Sequence, residues 1–351
     1  MTAKVHKTPW KMRPIVCCAG TFMNDWSKWL DYWLQQLKPE VPTYTKDSQQ
    51  ILDETKSMNP PNALLFTCDA NSMYNNIDTN HAIEVITWWL DELFLEGKLP
   101  KGFPLEAVKV AMETIMRNNV FEWGDLFFLQ KLGTAMGTSA AVMWATLYYA
   151  YHEVHCLIPK HGRHLPYFKR FIDDIFGVWT GNLTTDWDLF CKDVDTFGIL
   201  KWDITNDDRR PSTSVDFLDL TLSIENGRVV TRTFQKPMNL FLYLPSGSAH
   251  PQGCIKGTIY GLISRYYAQT TYQKDYIYFL VTLYHYRHLY DRSWDKEFIQ
   301  GLILEATYTI KSWSSATTPA SLQVKDDENN LFIHLECHPN DITCKKLKAL
   351  Y

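Results

Sequence analysis

Two adjacent aspartates, Asp173 and Asp174, stand between residues 168–172, apolar but for Lys169 and Arg170, and the apolar run 175–179. A third, Asp69, closes the run Leu64-Leu65-Phe66-Thr67-Cys68, which follows the turn Asn59-Pro60-Pro61-Asn62. Short apolar runs bounded by turn signals read as buried strands. A carboxylate at the end of such a strand is costly unless it is paired or bound to a cation, and two side by side repel each other unless a cation lies between or beside them. An isolated Asp-Asp pair is most simply a solvated turn; the motifs around this one favour a cation. Strand-borne carboxylates meeting at one edge suit Mg²⁺, which takes one or two carboxylates and draws its remaining ligands from water and substrate phosphates. Two such ions, about 3.5–4 Å apart, stabilise the attacking and leaving oxygens of an in-line phosphoryl displacement.

The surrounding pattern is mixed. Residues 26–37 carry Trp29, Leu30, Trp33 and Leu37 at helical spacing. Further helices are predicted from Thr79, over 105–118 and over 138–154. A hairpin is predicted over 120–130 around Gly124 and Asp125. Strands are expected over 63–68, 167–173 and 175–180, with Asp173-Asp174 at the turn of the last two. Another hairpin pairs 215–224 with 229–234 across Asn226-Gly227. From Tyr260 to about Ser312 the chain reads as helical. Strands and long helices in this order make an α+β protein.

Charge and composition bound the partners. The 351 residues carry 35 basic and 39 acidic side chains, which excludes a uniformly basic nucleic-acid binder but not a basic groove on a neutral body. Residues 228–292 hold eight basic residues against two acidic ones, interleaved with Tyr260, Tyr266, Tyr267, Tyr272 and Tyr276. That pattern grips phosphates and stacks on bases. Residues 59–130 hold ten acids and four bases. No apolar run reaches the ~20 residues of a membrane-spanning helix. The eight cysteines form no C-x-x-C pair, and His334, Cys337, His338 and Cys344 fit no standard zinc spacing.

In their order these motifs resemble a reverse transcriptase. Phe171-Ile172-Asp173-Asp174 resembles the family's Tyr-x-Asp-Asp box, with Phe in place of Tyr. Asp69 followed five residues on by Tyr74 resembles its first catalytic box, and Gly133-Thr-Ala-Met-Gly137-Thr-Ser139 the box before the long palm helix. Lys4-Val-His6-Lys7 and Arg13-Pro14-Ile15-Val16 resemble the fingers motif; the segments from Leu200 to Thr205 and from Val215 to Leu220 resemble the later palm boxes. Within the family the chain is most similar to Penelope-like retroelements, through the His-Lys and Arg-Pro-Ile opening, the Gly-Thr-Ala-Met-Gly box, and Gln235-Lys236-Pro237 with Ser248-Ala-His250-Pro251.

The resemblance implies a right-hand polymerase (fingers–palm–thumb), with an antiparallel palm sheet backed by helices and a helical thumb. Fingers would occupy 1–62, truncated at the N-terminus. Palm would occupy 63–227 with inserted fingers helices at about 96–130, thumb 228–312, and a polar tail 313–351. It implies an RNA-directed DNA polymerase that uses two Mg²⁺, with Mn²⁺ as a substitute, held by Asp69, Asp173 and Asp174. Lys7 and Arg13 would hold the triphosphate, Tyr74 would exclude a ribose 2′-OH and so select dNTP, and Gln130 and Gly137 would lie against the nucleotide and primer. The protonating side chain for the leaving pyrophosphate is Lys201 or one of Arg209 and Arg210. Partners would be an RNA or DNA template with its primer, with nuclear residence implied by the family alone and no DNA-nicking domain within the chain. The alternatives are a catalytically silent retroelement remnant that binds nucleic acid, and a metal nuclease built on the same acids. The nuclease gives no reason for Tyr74 or the glycine box.

Overall fold

The computed structural model describes residues 2–4, 11–13, 16–18, 20–204, 209–236, 244–251, 253–285 and 293–315. Lys7 and the cysteine–histidine group at 334–344 lie outside them. The chain divides into two compact units after Val230.

The first unit opens with a two-stranded ribbon, β1 (Thr2–Lys4) and β2 (Lys11–Arg13), and two helices, α1 (Phe22–Gln35) and α2 (Ser48–Thr55). Strand β3 (Leu64–Ala70) follows, then α3 (Thr79–Leu95) and α4 (Leu105–Arg117). Helix α3 begins where the Asp78 carboxylate accepts the backbone N–H groups of Asn80 and His81, satisfying two of its orphan donors. The hairpin β4 (Val120–Trp123) and β5 (Leu126–Leu129) leads to α5 (Ala141–His152) and the short α6 (Ile158–His161). Then come β6 (Tyr167–Phe171), β7 (Asp174–Trp179), α7 (Asp186–Val194), β8 (Trp202–Ile204), β9 (Ser214–Phe217), β10 (Leu220–Glu225) and β11 (Arg228–Thr233).

Strands β6, β7, β3 and β8 form an antiparallel four-stranded sheet in that order. Side chains alternate across a strand, so its two faces have different fates. Phe66, Cys68, Ala70, Phe168, Ile175, Trp179, Trp202 and Ile204 face the helices and share their core with α1, α3, α4, α5 and α7. An aromatic knot of Phe66, Trp179, Trp187 and Phe190, with ring centroids 5.1–5.4 Å apart, anchors α7 to this face. Each such ring contributes about 1.5–3 kcal/mol by leaving water. Helix α5 is buried on all sides, as its uniformly apolar sequence requires.

On the other face, Leu65, Phe176 and Val178 are covered by the three-stranded sheet β11-β10-β9 through Val215, Phe217, Leu220 and Leu222. That cover reaches only part of β3, because Asp69, in phase with Leu65, is exposed. This antiparallel sheet backed by helices is the α+β architecture expected of the palm segment.

Four local expectations are corrected. The turn between β6 and β7 is Ile172-Asp173, not Asp173-Asp174; Asp174 pairs with Phe171 and begins β7. The single strand expected over 215–224 is two strands broken at Leu218-Asp219, with Phe217 opposite Leu220. The α-helix ends at His152 and continues as a wider π turn over Glu153–Leu157. In the second unit the helical region begins before Tyr260, with α8 (Gly253–Gln269), α9 (Gln273–His285) and α10 (Lys296–Ser315).

The second unit has its own core, in which Ile255, Ile259 and Ile263 of α8 meet Phe279, Leu302, Ala306 and Ile310. Two of the five tyrosines expected to stack on nucleic acid belong to this core instead. Tyr266 and Tyr276 are buried, Tyr266 stacking on Phe279 at 5.1 Å. A ring at helical spacing with the isoleucines is drawn inward by the same burial that orders the helices. Lys256 bonds to Glu305 at 2.8 Å. No helix among the described residues is long and apolar enough to cross a membrane.

Candidate active site

The register of the four-stranded sheet assembles the acids. Asp69 of β3 lies directly opposite Asp174 of β7 on one side and Asp203 of β8 on the other. Directly paired residues on antiparallel strands point to the same face, with Cβ atoms about 4.5–5.5 Å apart. Three carboxylates therefore form a row across three strands, where the covering sheet stops. Asp173 occupies the adjoining turn, and its carbonyl accepts the Ala70 N–H at 2.8 Å, tying that turn to the end of β3. The Asn71 amide donates to Asp203 at 2.9 Å, and the Asn71 N–H donates to the Lys201 carbonyl at 2.8 Å.

Like charges opposite one another on a sheet destabilise it, and a divalent cation reverses the sign of that interaction. Among the described residues no three His, Cys, Asp or Glu side chains form a self-sufficient metal cage. The donor set nonetheless fits Mg²⁺. Hard carboxylate oxygens at an open edge are the donors this ion takes one or two at a time, its remaining ligands being water or phosphate.

Tyr74 follows β3 on a single 3-10 turn, Met73–Asn75. Burial, and then the negative charge of Asp173, push its phenol up to about 12, so it is neutral across the physiological range. Two backbone bonds dock the glycine box on this turn: the Thr134 N–H donates to the Tyr74 carbonyl and the Gly133 N–H to the Ile77 carbonyl, both at 2.8 Å. Gly133 has φ +71°, and a Cβ there would overlap the Tyr74 carbonyl oxygen. The box needs glycine at this point because backbone meets backbone.

Gly137 makes a similar approach on the other side. Its φ is +133°, a Cβ would overlap the Val16 carbonyl oxygen, and the Val16 N–H donates to the Met136 carbonyl at 2.9 Å. The space freed at Gly137 is taken by the Val16 backbone. Arg13 ends β2. Gln130 closes the β4–β5 hairpin: its amide donates to the Leu132 carbonyl at 2.8 Å and its N–H to the Asn119 carbonyl at 2.9 Å.

The three candidates for protonating a leaving group turn toward α7 and the loop after it. Lys201 donates to the Asp195 carbonyl at 2.6 Å, Arg209 pairs with Asp195 at 3.5 Å, and Arg210 pairs with Asp188 at 3.0 Å.

Beneath the acidic turn lies a buried ion pair. Arg170, on the helix-facing side of β6, is 1% exposed and its partner Glu153, at the start of the π turn, 0%. The guanidinium donates to Glu153 at 2.6 and 3.0 Å, to the Thr146 carbonyl at 2.8 Å and to the Ile172 carbonyl at 2.8 Å. The Thr43 hydroxyl donates to Glu153 at 2.5 Å.

Sequence reasoning placed Gly133 and Asp203 within motif segments without giving either a role, and it missed Arg170 and Glu153. Arg170 had a signal, being in phase with Phe168 and so directed at the core. Asp203 shows only the buried–exposed–buried alternation of Trp202-Asp203-Ile204, which does not reveal what lies opposite.

No protein-family model matches the chain, and no curated protein does. Among solved structures the chain is similar to telomerase from Candida albicans in complex with a fragment of telomeric RNA (TM-score 0.45, 12% identity, covering 84% of this chain and 56% of that one). It is also similar to apo telomerase from Candida tropicalis (TM-score 0.43, 14% identity, 84% and 51%) and to the BmCPV RNA-dependent RNA polymerase at its elongation state (TM-score 0.44, 13% identity, 69% and 22%). The chain spans about half the length of these telomerases and about a fifth of the viral polymerase.

Proposed function

We propose that the chain is an RNA-directed DNA polymerase of the Penelope-like retroelement type, which extends a primer 3′-OH with dNTP on a nucleic-acid template. The observation that supports this reading best is the register that sets Asp69 opposite Asp174, with Asp173 in the adjoining turn and Tyr74 close enough to feel its charge. Asp69, Asp173 and Asp174 would hold two Mg²⁺, which when bound offset the charge that develops on the attacking and leaving oxygens. The open edge of the sheet leaves these carboxylates accessible to phosphates. Tyr74, neutral and fixed through its carbonyl by the glycine box, offers a rigid ring beside Asp173 where a sugar would lie. A ring there clashes with a 2′-OH and passes a deoxyribose. Lys7 and Arg13 would grip the triphosphate, the first as a point charge and the second as a fork, with Gln130 and Gly137 near nucleotide and primer.

The test is primer extension on an RNA template. Extension that requires Mg²⁺ and prefers dNTP is expected, and Tyr74→Ala should raise ribonucleotide incorporation relative to deoxyribonucleotide. Template–primer binding without metal-dependent extension by the unaltered chain overturns the reading.

A further inference from the structure

We infer that Arg170 is a positioning residue for the metal-binding turn: braced by Glu153 inside the helix layer, it holds the Ile172 carbonyl and thereby sets the direction of Asp173. This rests on the proposed role of Asp173 as a metal ligand, and it adds a residue that touches neither substrate nor metal.

Ile172 has φ +54°, a left-handed conformation that β-branched residues avoid. Such a conformation persists only where surrounding structure over-determines it. Here the agent is visible, because Arg170 Nη1 donates to the Ile172 carbonyl from directly below. The peptide that carries this carbonyl also carries the Asp173 N–H, so fixing one end fixes the backbone from which the Asp173 side chain departs. From the other side, the Ala70 N–H holds the Asp173 carbonyl. The turn is thus pinned at both of its residues, once to the strand of Asp69 and once to the interior.

The setting of Arg170 is also expensive. Replacing a buried ion pair with apolar residues is often neutral or stabilising, so stability alone gives little reason to keep one. The π turn that begins at Glu153 brings its carboxylate under β6, and Thr43 donates to the oxygen that Arg170 Nη2 also holds. With Glu153 and the Thr146 carbonyl occupying three of its bonds, the guanidinium has one nitrogen left to aim, and it aims it at the turn.

The decisive variant replaces both partners at once, Arg170→Met with Glu153→Leu, which leaves no unpaired buried charge. Three quantities are read on it: cooperative urea unfolding, Mn²⁺ binding by electron paramagnetic resonance on the chain alone, and hydrogen exchange at the Ala70 amide. Outer partners that orient metal ligands alter metal affinity by about 10–100-fold. The expected result is cooperative unfolding retained, Mn²⁺ bound at least ~10-fold more weakly, and Ala70 exchange accelerated. Arg170→Lys, which keeps the charge but cannot fork to Glu153 and Ile172 together, should fall between the two; it supplies the reading if the double variant does not fold.

A cooperatively folded double variant with unchanged Mn²⁺ binding and unchanged Ala70 exchange overturns the inference. If the unaltered chain binds Mn²⁺, and the variant binds it more weakly, while neither extends a primer, the polymerase reading fails and the positioning role stands. If the unaltered chain binds no Mn²⁺, the metal role of Asp173 falls and this inference falls with it.

Discussion

The first unit contains two hairpin turns of nearly the same local chemistry. One is Arg170-Phe171-Ile172-Asp173-Asp174 and the other Asp216-Phe217-Leu218-Asp219-Leu220. Each has phenylalanine closing one strand, two turn residues, and the first of these an aliphatic side chain at φ +54°. The two sheets pack together close by, with the ring centroids of Phe176 in β7 and Phe217 5.5 Å apart. The difference lies one residue earlier and one strand away. Arg170 is buried and bonds to the turn carbonyl, whereas Asp216 is exposed and accepts the Thr221 hydroxyl at 2.6 Å. The first turn abuts a strand that presents Asp69, and the second belongs to the sheet that covers Leu65. A strained turn is therefore not itself a mark of a site. It becomes one where a buried cation braces it and a neighbouring strand supplies matching carboxylates.

The sharpest way to break this comparison is to neutralise the aspartate of each turn. Asp173→Asn should slow metal-dependent primer extension by about two to three orders of magnitude, because several kcal/mol of charge stabilisation are lost and each ~1.4 kcal/mol is tenfold. Asp219→Asn, in a turn that pairs with none of the three acids in the row, should leave the rate within about twofold. Equal effects in single-turnover assays would mean that the turns are equivalent after all.

A second contrast reads stability alone. Arg170→Met by itself strands Glu153 as a buried charge and should cost about 3–5 kcal/mol in urea unfolding. Asp216→Ala removes one part-buried neutral-to-carboxylate hydrogen bond and should cost about 1–2 kcal/mol. Similar costs would show that Arg170 is not the brace described here.

The smallest expected effect is a pH dependence beneath the first turn. His152, next to Glu153, donates from Nε2 to the Asp193 carbonyl at 2.8 Å, and burial holds its pKa below the ordinary 6.5 despite that contact. The unfolded chain then binds a proton at a higher pH than the folded one, so stability is full above about pH 6.5 and declines as the pH falls below it. Asp193 adds a loss in the same direction at lower pH. Burial would raise its carboxyl, but hydrogen bonds from Lys160 and His161 outweigh that and hold it below its usual value. Thermal midpoints measured from pH 8 to 5 should therefore fall, and should fall less in His152→Gln.

The strands read over 63–68 and 175–180, observed as Leu64–Ala70 and Asp174–Trp179, were legible because an apolar run bounded by an acid can be read without neighbours. Helices 79–95 and 105–117 were legible from their periodicity. The break at Leu218-Asp219 was not, since it contains neither glycine nor asparagine, the residues that usually announce a left-handed turn residue. The π turn at 153–157 was equally silent, because one extra residue in a helix leaves its apolar spacing nearly intact. Gly137 was legible as a special position, but its neighbour was not: the space it frees holds the Val16 carbonyl.

By itself the sequence determined where most strands and helices lie and that acids bound two of the strands, since those depend on spacing, propensity and turn chemistry within a few residues. Only the tertiary structure decided that Asp203 stands beside Asp69, that Arg170 lies under Ile172, and that one strained turn faces carboxylates while its twin does not. The register of the acids arises from pairings over more than a hundred residues and the burial of Arg170 from packing against another element, and no local pattern encodes which two such positions will face each other.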